Sequence, residues 1–145
     1  MLIITDIKKY LIKIFKIKKL PKKDIRDIYW NLHYDHYNLQ IIMKPIIIIS
    51  TYPDKKSVSK IANELVKSKT VACVNISKIS SIYSWKGKVE NSSEYLAIFK
   101  TITKNKTLLK KKIKETHPYD VPEIAEIDVT SIDKSYLKWL VESTT

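Results

Sequence analysis

The stretch TVACVNISKISSIYSWKGKVENSSEYLAIFKT, residues 70–101, holds two long runs rich in β-branched and aromatic residues on either side of Lys86-Gly87. That pair predicts a tight β-hairpin, with the single glycine of the chain taking a positive φ that other residues resist. Both runs exceed the common strand length of about five or six residues. A hairpin of this length reaches past the core its base can join, so its far end needs a cover from elsewhere.

The flanking sequence supplies that core. Upstream, KPIIIISTYP (44–53) is a short apolar run ended by Pro53 and reads as a central strand. Asp54 follows as an N-cap, and Val58, Ile61, Ala62, Leu65 and Val66 form the stripe of an amphipathic helix. Downstream, Thr103 or Asn105 can cap a second helix carrying Leu108, Leu109 and Ile113, with Lys110, Lys111, Lys112 and Lys114 facing solvent. The loop THPYDVPE (116–123), a strand EIAEIDVT (123–130) and a last helix from Asp133 complete the order. The order β-α-β-β-α-β implies an α+β, ferredoxin-like sandwich with a long β-hairpin and a C-terminal helix.

An apolar fraction of 44%, with 10% aromatic residues, is that of a globular chain, and 145 residues give room for one domain with a proper core. No apolar run approaches the ~18 residues a membrane span requires. The net charge of +12 suggests anionic partners, yet the only arginine is Arg26 and the rest is lysine. Nucleic-acid readers favour the arginine fork, so no specific nucleic-acid partner is expected. One cysteine, Cys73, excludes an intramolecular disulfide and any Cys-x-x-Cys zinc pattern, and one glycine excludes a Gly-rich phosphate loop.

Residues 1–42 differ in texture from the rest, with nine basic and four acidic residues. Residues 2–20 place Ile4, Ile7, Leu11, Ile14 and Ile17 at helical spacing among lysines. We read 1–42 as a basic N-terminal extension, a targeting segment or an appendage, and 43–145 as the folded domain, with Met43 as an alternative start. A cytoplasmic location is expected, or an organelle if 1–42 directs import. His33, Asp35 and His36 have ligand-like spacing but read first as surface residues.

Five motifs recur in register: ACV (72–74), YSWKGKVE (83–90), FKT (99–101), HPYDVPE (117–123) and YLKWL (136–140). Together they resemble the CutA divalent-cation-tolerance family across residues 44–145. The resemblance implies a PII-like, ferredoxin-like subunit in a homotrimer, whose long hairpins extend onto neighbours. It also implies weak binding of a divalent metal, copper first, in metal tolerance or response. No organic cofactor and no enzymatic reaction are expected.

The metal residues this implies are Cys73 as a soft ligand, His117 as a borderline one and Glu123 as a hard one. Some relatives carry a cysteine where this chain has Ser50 and a second histidine where it has Thr116. Both departures remove ligands. A rival reading is a PII-like sensor or scaffold whose inter-subunit cleft takes a small anionic ligand, with Lys100, Tyr119, Trp85 and Glu90 as its residues. Pro118 and Pro122 restrict φ on both sides of Tyr119, so the loop is a rigid connector whatever else it does.

Overall fold

A computed structural model describes residues 42–145; the segment 1–41, with its amphipathic stretch and the His33-Asp35-His36 group, lies outside the described residues. The elements are β1 (Pro45–Tyr52), α1 (Lys55–Lys67), β2 (Cys73–Trp85), β3 (Lys88–Ile102), a 3-10 turn (Thr103–Asn105), α2 (Lys106–Thr116), β4 (Ala125–Asp128) and α3 (Lys134–Glu142). The strands form one antiparallel sheet in the order β2-β3-β1-β4. The α+β, ferredoxin-like architecture expected from the element order is the one found.

β1 is central because it is apolar on both faces. It pairs with β3 along its whole length, from Pro45↔Ile102 to Tyr52↔Tyr95, and with β4 over Ile46–Ile49. Alternation turns Ile46, Ile48, Ser50 and Tyr52 towards the helices. There Ile46, Ile48 and Tyr52 pack with Ala97 and Phe99 of β3, Val58, Ile61 and Leu65 of α1, and Leu109 and Ile113 of α2. Ile47, Ile49 and Thr51 face the other way. β4 is shorter than the expected 123–130: Asp128 pairs with Ile46, and beyond it stands Pro45, which has no N–H to extend the ladder.

Asp54 caps α1, its carboxylate accepting from the Ser57 amide at 2.8 Å and the Ser57 hydroxyl at 2.7 Å. Val66 and Leu108, assigned to apolar stripes above, are exposed. Asn105 opens α2 without capping it. Its amide instead donates to the carbonyls of Lys69, Thr70 and Thr144, tying the α1–β2 connection to the chain end.

The hairpin is as long as the sequence implies, with 13 residues in β2 and 15 in β3. Lys86 and Gly87 both have positive φ, +48° and +77°, the pattern of a type I′ turn whose twist matches its strands. Near the tip Ile82 and Val89 are each 72% exposed, so the described residues leave the far end uncovered.

Phe99 is the largest fully buried side chain of β3. Phe99→Ala is expected to lower the unfolding free energy by about 3–5 kcal/mol, read as a fall in the urea midpoint at unchanged slope. A loss under ~1 kcal/mol would mean that this core is not the source of stability.

Candidate functional site

A cleft of about 810 Å³ lies on the sheet face turned away from α1 and α2. Its floor follows from strand alternation. Leu96 pairs with Thr51 and Glu94 with Ile79, and Ile49, Ser81, Tyr83 and Trp85 share that face. The other wall is the connector Pro118–Glu123.

The connector is seated by the short β4. Strand pairing on that side of β1 ends at Ile49↔Ala125, leaving Ser50, Thr51 and Tyr52 without a β4 partner, and here the connector meets the sheet. His117 lies on the helix side, with Nε2 3.3 Å from the Ser50 hydroxyl and its ring 4.3 Å from that of Tyr52 between centroids. Its Nδ1 accepts the Tyr119 amide hydrogen at 3.1 Å. Tyr119 crosses to the cleft side, where its hydroxyl donates to Glu94 Oε1 at 2.8 Å. His117 and Tyr119 thus grip the sheet from its two faces.

Burial sets the electrostatics. Glu94 is only 5% exposed and takes part in no ion pair among the described residues. The Tyr119 phenol is pushed well above its ordinary value of 10, by burial first and then by its bond to Glu94. Burial likewise raises Tyr52 to about 12, with the nearby Ser50 hydroxyl partly offsetting it. The Tyr52 hydroxyl nevertheless has no hydrogen bond of normal geometry among the described residues. Burial lowers the His117 pKa, against the opposing pull of the Thr51 carbonyl and the Glu94 charge.

Ser50 and His117 form a hydroxyl–imidazole pair, but not a nucleophile and its base. Because Nδ1 accepts a hydrogen bond, the neutral ring carries its proton on Nε2, the atom facing Ser50. That nitrogen cannot take the hydroxyl proton, and Ser50 is 0% exposed.

The residues assigned to metal do not meet within one chain. Cys73 pairs with Lys100 near one end of the β2–β3 ladder, on the cleft face, whereas His117 lies beside Ser50 on the helix face. Glu123 lines the cleft. Among the described residues no three His, Cys, Asp or Glu side chains converge as an ion would need, so the donor set does not fit a chelating single-chain centre. Of the ligand residues, Tyr119 and Trp85 line the cleft; Glu90 sits nearer the tip, opposite Tyr83, and Lys100 has its Nζ 5.9 Å from the centre of the Tyr136 ring. Two central groups were absent from the residues chosen by sequence, Ser50 as the partner of His117 and Glu94 as that of Tyr119. The signal for Glu94 is its place at the head of the apolar run EYLAIF, where a strand enters the core.

A family model described as CutA1 divalent ion tolerance protein matches residues 46–143. The chain is 44% identical over 99 residues to a divalent-cation tolerance protein CutA from Pyrococcus horikoshii, covering 68% of this chain and 97% of that one. It is 40% identical over 100 residues to a chloroplastic CutA protein from Arabidopsis thaliana, covering 68% of this chain and 55% of that longer one. The crystal structure of CutA1 from Pyrococcus horikoshii superposes with a TM-score of 0.67 at 44% identity, covering 69% of this chain and 98% of that one. The periplasmic divalent cation tolerance protein CutA from Archaeoglobus fulgidus gives 0.68 at 32% identity, covering 70% and 99%.

Because the His117 pKa is depressed on folding, the unfolded chain binds the extra proton more readily. The stability this group contributes is complete above its ordinary value of 6.5 and is lost as pH falls from there towards the lowered native value. Thermal melts from pH 7.5 to 5 should show this decline in the wild type and a smaller one in His117→Asn, which keeps an acceptor near Tyr119 without the titration. His33 and His36 are common to both proteins, so the difference isolates His117. Identical slopes would refute the assignment.

Proposed function

Since the chain belongs to the CutA1 divalent ion tolerance protein family, we propose that it acts in tolerance of, or response to, divalent cations. The observation that carries this reading is the family match running unbroken through both halves of the fold, from β1 to α3. The role is one of binding rather than catalysis, which the tautomer of His117 and the burial of Ser50 support.

The working unit is a homotrimer of 43–145 domains, with 1–42 as a basic extension. The hairpin supports self-association, because Ile82, Trp85 and Val89 expose apolar surface that a second copy could cover. The metal is divalent, copper first, and weakly held. Cys73, His117 and Glu123 act as separate one-donor contacts within a chain, or combine only across subunits. The rival reading, an anionic ligand drawn by Lys100, is less well supported, since Lys100 stands apart from the cleft and among the described residues no basic one lines it.

No helix among the described residues is long and apolar enough to cross a membrane. The location is cytoplasmic, with an organelle as the alternative if residues 1–42 direct import. Fusing 1–42 to a reporter separates the two, a diffuse cytosolic signal ending the import idea.

Two measurements test the reading. Sedimentation equilibrium should give three chains, with Trp85→Ala/Val89→Ser shifting the equilibrium towards smaller species; a monomer at high concentration would end the trimer proposal. Copper calorimetry against a competing chelator should show weak uptake in the wild type, reduced by Cys73→Ser and by His117→Ala. Ser50→Cys should bind roughly tenfold or more tightly, because it sets a thiol where a hydroxyl now stands 3.3 Å from imidazole. Uptake indifferent to all three substitutions would remove metal binding from the function.

A further inference from the structure

The positive charge of the folded domain is not spread over its surface. Helices α1 and α2 carry nine lysines against two glutamates, whereas the rest of 43–145 balances nine lysines with nine acidic residues. A lysine-rich composition alone would scatter its lysines, so this segregation needs another cause.

Within the helix layer, ion pairing occupies the flanks and leaves the crest. Lys112 of α2 reaches Glu64 of α1 at 3.5 Å across the seam, and Lys106 and Lys110 reach Glu126 on the β4 side. Opposite its buried Val58, Ile61, Ala62 and Leu65, α1 turns Lys56, Lys60 and Lys67 outward. Opposite Leu109 and Ile113, α2 turns out Lys111 and Lys114. All five are exposed. Of these five, only Lys111 has an acidic partner among the described residues, Glu115 one turn on at 3.7 Å. The extension 1–42, with nine basic and four acidic residues, has the same sign as the layer and is not its complement.

Three features narrow the anionic partner. Neither helix carries an arginine or an aromatic ring, the groups that read and stack bases. Leu108 stands 47% exposed with Lys104, Lys111 and Lys112 one turn away along the chain. An apolar side chain set among ammonium groups has a place at a headgroup–acyl boundary and none along a phosphodiester backbone. Side by side, helices of 13 and 11 residues make a broad face about 20 and 16 Å long, rather than a ridge that enters a groove. We propose that the α1–α2 layer docks on an anionic phospholipid surface, its outward lysines on the headgroup phosphates and Leu108 at the acyl boundary. The proposal does not depend on the metal reading.

The full chain is cosedimented with vesicles of phosphatidylcholine alone, and with vesicles in which roughly one lipid in four is phosphatidylglycerol, at ~0.15 M salt. Binding to the anionic vesicles alone is expected, weakened roughly tenfold or more in Lys56→Gln/Lys60→Gln/Lys67→Gln. Lys86→Gln/Lys134→Gln/Lys138→Gln removes the same charge away from the layer and should bind as the wild type does. All six lysines are exposed, so the melts of both variants should match that of the wild type. Leu108→Gln, which leaves the charge unchanged, should weaken vesicle binding too. Vesicle binding that is absent, that falls equally with the two lysine sets, or that ignores the layer set overturns the proposal. Displacement from the vesicles by a mixed-sequence DNA duplex at equal phosphate would assign the layer to nucleic acid and overturn it as well.

Discussion

The antiparallel ladder between β1 and β3 is the constraint from which the rest of the domain follows. Eight consecutive pairs, Pro45↔Ile102 through Tyr52↔Tyr95, fix the side of the sheet on which each residue stands. A slip of one residue would send Phe99 and Ala97 away from the helices and bring Glu94 and Lys100 into the core. With the register as it is, β1 divides its polar end between two sites. Ser50 and Tyr52 meet His117 on one side, while Thr51 lies beside Leu96 on the other, in the cleft that Glu94 also lines.

The connector between α2 and β4 depends on the same ladder. β4 can pair only as far as Ile49, so the last three residues of β1 are left for the connector to satisfy. Pro118 and Pro122 restrict its path, and two hydrogen bonds, Tyr119 amide to His117 and Tyr119 hydroxyl to Glu94, anchor it. Behind it, Lys106 and Lys110 of α2 both reach Glu126 of β4, at 2.9 and 2.6 Å, and hold that carboxyl below its ordinary range. These pairs are partly exposed and add little stability individually. Their geometry joins the two elements that the connector links.

The element order, the hairpin turn and the cap of α1 are legible because each rests on neighbours in sequence, such as Asp54 before Ser57 or Lys86 before Gly87. The structure departs from the sequence pattern where distant segments decide the outcome. At its C-terminal end β4 stops short because of Pro45, more than eighty residues upstream. Asn105 abandoned the capping role suggested by its position because three carbonyls from two other segments lay within reach. Cys73 and His117 had the chemistry of a metal pair, but only strand parity reveals that they occupy opposite faces of the sheet, and parity depends on a register that sequence does not print. The role of Glu94 is hidden for the converse reason. A glutamate in a strand reads as surface until the ring that covers it, Tyr119, is known to fold back from the connector.

The two sides of the sheet are therefore not chemically independent. Protonating His117 at Nδ1 would remove the acceptor of the Tyr119 amide, and that amide belongs to the residue whose hydroxyl covers Glu94. Conversely, weakening the Tyr119 bond to Glu94 would loosen the residue whose amide fixes the tautomer of His117. The linkage runs through a single side chain and its own backbone nitrogen, with no rearrangement of the sheet, and by thermodynamic reciprocity its strength is the same read from either end. In the ferredoxin-like frame, a connector whose rigidity comes from two prolines thus joins an imidazole on one face to a buried carboxylate on the other.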